Sequence, residues 1–281
     1  MQIRRLSLYG HCTDRDCRTH TASTMKATVI ISVYKNVAAL QAILRSLEQQ
    51  TEQDFEVIIS EDGEDPAMAQ CIADYRSPWP LQHITQEDLG WRKNRVLNLS
   101  IMAAHSDWLI FIDGDCVLHP RFVEMHLRYS GEGKVLAGKR IKLNKDVSER
   151  LLQGNRLHLW TYLFWHRGCH CVEEGFYSRL LHLFRRHVRH LTGSNMSMSR
   201  KDLLAINGFD ENYTLPAIGE DYDIEWRLPA NGCEIVSLRN LAVQYHLYHQ
   251  ENWVDDSVNM AYFRTIQAAN QIVCKNGIRK D

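Results

Sequence analysis

Four groups of side chains in this chain of 281 residues have the types and spacing to do chemistry. The first is Asp113-Gly114-Asp115, where the apolar run Trp108 to Ile112 ends. Two carboxylates flanking a glycine can approach one point and hold a hard divalent cation through oxygen. Taken alone, the tripeptide reads more readily as a solvated Asp-Gly turn after a strand. The second group is "GEDYD", which places Glu220 and Asp221 at the start of a predicted helix. One of them could act as a general base; both could simply be acids favoured by the helix dipole. The third is "YHLYH", with His246 and His249 ending a strand-like run. An imidazole there would complete a metal site and favour Mn²⁺ over Mg²⁺, being the softer donor. Which of the two histidines would bind is left open. Arg92, Lys93 and Arg95 form a basic cluster suited to a diphosphate, or else a solvated helix face.

The elements that must position these groups alternate. Thr28 to Tyr34 is an apolar, β-branched run and predicts a buried strand. Asn36 then reads as the N-cap of a helix, and Phe55 to Ser60 predicts a second strand ending in Glu61-Asp62-Gly63. A helix opening on proline follows, then a short strand Leu81 to Thr85, a helix Arg92 to Ala104 and the strand Trp108 to Ile112. Continuous apolar strands joined by helices predict a mainly parallel α/β sheet covered on both faces. Ligands of such sheets bind beyond the carboxyl ends of the strands. Tyr34, Asp62, Asp113 and Asp115 all fall there.

Residues from about 142 to 191 predict no strand, and "FYSRLLHLFRRHVRHL" reads as a basic amphipathic helix. "SNMSMS" predicts a strand, "NGFD" a turn, "GEDYDIEWRLPANG" a helix ended by Pro229 and Gly232, and "EIVSLRNLAVQYHLYH" strand structure. The remainder, about 254–275, reads as helical. The first 24 residues have little periodicity and no h-region, so they predict a disordered leader or a start assigned too far upstream. Residues 25–281 predict one domain.

The formal net charge is −1, which gives no support for nucleic-acid binding. Eight scattered cysteines fit free thiols in a reducing compartment. "HRGCHC" lacks the usual Cys-x-x-Cys zinc spacing. No apolar run is long enough to span a membrane, and a cytoplasmic protein is expected.

Taken in order, "SVYKN", "IISEDGED", "GWRKNRVLN", "FIDGDC", "NMSMSRKDLLAINGFDENY", "GEDYDIEWRL" and "VQYHLYH" resemble a nucleotide-sugar-dependent glycosyltransferase of family 2, with the GT-A fold. The segment from "NGFDE" to the Glu-Asp pair resembles the acceptor side of galactosyl- and N-acetylgalactosaminyltransferases. The resemblance implies a nucleotide-binding half, about 28–130, and an acceptor and base half, about 192–250. It implies that Tyr34 stacks on the base and that Asp62, with Glu61 beside it, bonds the uracil edge. Asp113 would face the ribose and metal, Asp115 would ligate the metal, and His246 would be the later ligand. Asp221 would be the catalytic base and Glu220 would orient the acceptor. Leu97-Asn98 stands where many members have Arg-Asn, so Arg92, Lys93 and Asn98 would meet the diphosphate in an altered clamp.

The expected activity is thus metal-dependent, inverting transfer of a sugar from a UDP-linked donor, with Mn²⁺ or Mg²⁺. The expected acceptor is a hydroxyl of a surface glycan or lipid-linked saccharide. The basic helix near 178–190 suggests peripheral contact with the inner membrane face. Two rivals remain at this level. A nucleotidyltransferase would show a glycine-rich loop after the first strand, and "SVYKNVAAL" has no glycine. A non-catalytic sugar-nucleotide or glycan-binding protein would not need Asp221 and the metal set together.

Overall fold

The computed structural model describes residues 25–154, 168–184, 190–216, 219–250 and 255–280. The expected leader and much of the middle segment lie outside the described residues.

Seven strands form the main sheet: β1 (Ala27–Val33), β2 (Phe55–Glu61), β3 (Leu81–Thr85), β4 (Trp108–Asp113), β6 (Lys134–Ala137), β8 (Met196–Ser199) and β9 (Glu234–Ser237). Their order is β3-β2-β1-β4-β8-β6-β9. The first four run parallel, as the continuous apolar runs predict. β8 runs antiparallel to β4 and β6. A small second sheet, β5-β10-β7, contains β5 (Cys116–Leu118), β10 (Val243–His246) and β7 (Lys139–Lys142).

Alternation along each central strand sorts side chains onto two faces. Val29, Ile31, Val57, Ile59, Ile110 and Ile112 join one core with α1 (Val37–Leu47), α2 (Pro66–Asp74) and α4 (Phe122–Tyr129). Ile30, Ile58, Leu109 and Phe111 join the other, with α3 (Lys93–Ala103), α7 (Arg200–Ala205) and α8 (Glu220–Ala230). The result is a sheet between two helical layers. Helix starts follow local chemistry. The Asn36 side chain accepts from Ala39 N at 3.1 Å, and Asp65 caps α2 ahead of Pro66. The described residues also form α5 (Lys145–Leu152), α6 (Arg179–Phe184) and the longer α9 (Ser257–Ala268).

Several boundaries differ from expectation. The long strand-like run after Gly232 is two strands, because Asn240 turns with φ 63° between them. α8 continues through Pro229, which lies too near the end to break it. The C-terminal helix stops at Ala268, and the chain folds back to bond Asn207 through Ile278 N and Arg279 N. Within the expected basic amphipathic helix, 176–191, the described residues form α6, and 185–189 lie outside the described residues.

His126 of α4 shows how the layers lock. It is fully buried, with Nδ1 2.8 Å from Ser197 Oγ and Nε2 3.1 Å from Asn195 Oδ1. Burial pushes its pKa down to about 3, against a weaker opposing bond from Asn195. The unfolded chain therefore binds more protons between pH 6.5 and about 3, and folding loses stability as pH falls through that window. This group alone should cost about 1 kcal/mol by pH 5.5. Urea midpoints at pH 7.5 and 5.5 should differ less for His126→Gln than for the natural chain. Equal differences would refute the assignment.

Candidate active site

In the order β3-β2-β1-β4 the chain leaves β1 to one side and returns to the other. A crevice therefore opens between the carboxyl ends of β1 and β4. Gly114 lies there. Its N–H donates to Ser32 O at 2.6 Å, and a Cβ would sit 2.7 Å from that oxygen. The glycine is required by close packing against β1. Its φ lies outside the left-handed region, so the carboxylate spacing owes nothing to an unusual turn. Gly114→Ala should cost about 1–3 kcal/mol in denaturant unfolding, by forcing the two strand ends apart. A cost below about 0.5 kcal/mol would show that the strands yield freely.

The two aspartates have different neighbours. Asp115 Oδ2 is 3.3 Å from His246 Nε2 and 3.4 Å from His249 Nε2. Ligand atoms of these three residues all lie within 4.8 Å of one another. Strand pairing creates the set: His246 of β10 stands opposite Cys116 of β5, and Leu247 N donates to Asp115 O at 2.8 Å. Burial raises the Asp115 pKa, but bonds from His246 and His249 outweigh it and hold the carboxyl well below its usual range. His246 is buried, whereas His249 is half exposed at the rim. One carboxylate oxygen and two imidazoles fit a divalent transition cation.

Asp113 stands outside that set. Its Oδ1 is 2.8 Å from Lys93 Nζ, and its Oδ2 is 3.5 Å from Arg140 Nη1. Arg140 lies on β7, and the same Nη1 donates to Ser194 Oγ at 3.0 Å. Sequence reading missed Arg140. The basic pair Lys139-Arg140 was its one signal, and nothing local ties it to Asp113.

On the other side of the crevice, Asp62 Oδ1 accepts from Gln86 Nε2 at 2.6 Å and Oδ2 from Arg92 N at 2.7 Å. Arg95 Nη1 donates to Gln86 Oε1 at 2.6 Å and so orients that amide. The Arg92 side chain bonds Glu87 O. Tyr34 is exposed just past β1, with its hydroxyl 3.3 Å from Asp88 Oδ2. Glu61 is buried; its carboxylate meets His83 Nε2 at 2.7 Å and Asp65 N at 3.0 Å.

Asn98 is not brought to the crevice mouth. Its Nδ2 donates to Phe209 O at 2.8 Å and its Oδ1 accepts from Phe209 N at 2.9 Å, which pins the "NGFDE" loop against α3. Asn94, one turn earlier, donates to Asp210 O at 2.7 Å. That loop turns through Asn207 and Gly208, at φ 67° and 74°, and leads toward α8. Asp221 lies in the first turn of α8, where its Oδ1 accepts from Tyr222 N at 2.9 Å. The Glu220 side chain falls outside the described positions. Asp221 is also among the acids whose charge reaches the β7 lysine Lys139. Burial depresses the Lys139 pKa despite Glu174, Glu225 and Asp221 around it.

One carboxylate and two histidines meet beyond the switch point of this doubly wound sheet, with Lys93 and Arg140 beside them. A sequence model of the family described as Glycosyl transferase family 2 matches residues 28–206. The chain belongs to glycosyl transferase family 2. A second, described as the N-terminal domain of galactosyltransferase, matches residues 179–250, which covers "NGFDE", α8 and both histidines.

Among relatives of this family 2 chain is a chondroitin synthase of Escherichia coli, 24% identical over 252 residues, spanning 80% of this chain and 34% of that protein. Another is a validoxylamine A glucosyltransferase of Streptomyces hygroscopicus subsp. jinggangensis, 27% identical over 221 residues, spanning 73% and 51%. The chain thus spans about a third to a half of the length of these relatives. A solved structure of S. aureus TarS 1-349 with UDP-GlcNAc superimposes with a TM-score of 0.60 at 18% identity, over 87% of this chain and 66% of that one. GalNAc-T7 with UDP, GalNAc and Mn²⁺ gives 0.60 at 12% identity, over 88% and 48%. These likenesses establish the GT-A fold.

Proposed function

We propose that this chain transfers a sugar from a nucleotide-sugar donor, UDP-linked, to a hydroxyl of a surface glycan or lipid-linked saccharide, with inversion. The observation that carries the reading is the meeting of Asp115, His246 and His249 at the switch-point crevice, beside Lys93 and Arg140. Breaking an anomeric carbon-to-phosphate bond builds negative charge on the departing diphosphate. A divalent cation, Mn²⁺ by donor type, would supply Lewis-acid stabilisation of that charge when held by Asp115 and the two histidines. Asp221 takes the proton of the attacking acceptor hydroxyl. Asp62, its carboxylate held by Gln86 and Arg92 N, accepts from a base edge that carries an N–H. Tyr34 offers an exposed ring for stacking.

The UDP assignment draws on Asp62 and on neighbours bound to UDP-GlcNAc or to UDP and GalNAc. A mannosyltransferase neighbour with GDP-Man and Mn²⁺ keeps a guanine base in view, since its ring N–H suits the same carboxylate. The glycan acceptor draws on the chondroitin synthase relative.

Contact with the inner membrane face draws on α6. Leu180, Leu183 and Phe184 are exposed there beside Arg179, and three more arginines follow in sequence outside the described residues. No described helix is long and apolar enough to cross a membrane.

The test is UDP release from a panel of UDP-sugars, with and without Mn²⁺, for the natural chain and for Asp221→Asn. Release should require Mn²⁺. Asp221→Asn should lose about 10²–10⁴-fold in rate while still binding donor, the range of a lost general base. Bound nucleotide with no release from any donor, even with saccharide acceptors added, would favour a binding protein. No nucleotide binding would sink the reading.

A further inference from the structure

Asp113 raises a question that the metal set leaves unanswered. It is separated from Asp115 by one residue, yet Asp115, His246 and His249 form a ligand group without it. Two cations from distant parts of the chain converge on it instead: Lys93 from the first turn of α3 and Arg140 from β7. All three side chains are mostly buried, at 17% exposed for Lys93, 28% for Arg140 and 26% for Asp113. Burying cations at a crevice is costly unless something offsets their charge, and Asp113 does so.

We infer that Asp113 is the resident counter-ion of Lys93 and Arg140, and that both cations turn from it to the diphosphate when a sugar nucleotide enters. This deepens the nucleotide-sugar reading and rests on it.

Charge balance favours the exchange. The paired carboxylates of Asp113 and Asp115 offset Lys93 and Arg140. A divalent cation at Asp115 offsets the charges of a diphosphate diester. The filled site is neutral with both basic residues present, and carries an uncompensated negative charge if either is removed. Geometry favours it too. The Arg140–Asp113 contact, at 3.5 Å, is longer than an optimal charge-assisted bond, and its nitrogen is shared with the neutral Ser194 hydroxyl. Such a guanidinium can trade Asp113 for a phosphate oxygen without leaving its place on β7. Arginine suits the role because its planar fork matches phosphate oxygens. Arg140 would therefore be a diphosphate-binding residue, and Asp113 the counter-ion that occupies both cations while the crevice is empty.

The experiment is calorimetric titration of UDP and of uridine, with and without Mn²⁺, on the natural chain and on Arg140→Met, Arg140→Lys and Asp113→Asn. Thermal melts confirm folding. Arg140→Met should weaken UDP about tenfold or more and leave uridine within about twofold, because only UDP carries the diphosphate. Arg140→Lys should fall between, losing about threefold for UDP through the lost fork geometry; it carries the test if the methionine variant does not fold. Asp113→Asn should match or exceed the natural chain in Mn²⁺-free UDP binding, since its competing charge is gone. Unchanged UDP affinity in both Arg140 variants would overturn the inference. So would loss of the Mn²⁺-dependent gain in Asp113→Asn, which would make Asp113 a metal ligand. If the natural chain binds neither UDP nor uridine, the nucleotide reading falls, and this inference with it.

Discussion

Asp115→Ala is expected to lower Mn²⁺-dependent sugar transfer about a thousandfold, because a metal's share of transition-state charge stabilisation is several kcal/mol and each 1.36 kcal/mol is tenfold. Asp115 is the one carboxylate in a set otherwise made of imidazoles, and both histidines approach its Oδ2. Without it the site would hold a cation only through His246 and the rim residue His249. The loss should appear as weaker Mn²⁺ binding in titration as well as lower turnover. Raising Mn²⁺ should restore part of the rate. Thermal melts of the variant separate loss of the metal from loss of the contacts that Asp115 makes with both histidines. His249→Ala offers a graded comparison. Its ring is half exposed and should cost less than Asp115. Activity within about tenfold of natural for Asp115→Ala would remove the metal from the mechanism.

The parts of this site that were legible in sequence are those set by local chemistry. β1, β2 and β4 announce themselves by apolar runs, and Asn36 by its place before a helical pattern. The strand ends then locate Asp62, Asp113 and Asp115. What could not be read was decided by pairing between distant segments. β5, β6 and β7 span three or four residues each, too short for a period to show. Yet β5 and β7 flank β10 and so fix where His246 and Arg140 point. Asn98 misled for a related reason. It follows a basic cluster, but one turn along α3 its side chain meets the buried Phe209 loop. Both histidines reach the same carboxylate oxygen, so geometry offers either ring as a ligand.

That loop rests on a fully buried ion pair, and breaking it should produce a large loss of stability. Arg227 and Asp223 of α8 are fully buried one helical turn apart. Arg227 Nε donates to Asp223 Oδ2 at 2.7 Å, Nη1 to Ile206 O at 2.9 Å and Nη2 to Gly208 O at 2.9 Å. The Tyr213 hydroxyl donates to Asp223 Oδ1 at 3.3 Å. One guanidinium therefore fastens α8 to the Asn207-Gly208 turn that carries "NGFDE". Arg227→Met would strand Asp223 in the core, where burial already raises its pKa, and leave two carbonyls without their donor. The expected cost is about 3–5 kcal/mol, a large share of the roughly 5–15 kcal/mol that a domain has. Asp223→Leu combined with Arg227→Met removes both charges. It should recover part of the loss, but not all, because Ile206, Gly208 and Tyr213 still lack partners. Denaturant unfolding of the single and double variants measures both steps. A single variant costing under about 1 kcal/mol would mean that water or another cation reaches Asp223. A double variant worse than the single would mean that the bonds to the loop outweigh the buried charge. Either way the loop and α8, which carries the proposed base Asp221, should loosen together, because the same side chain joins them. Loss of Arg227 should therefore impair transfer even though it touches no substrate.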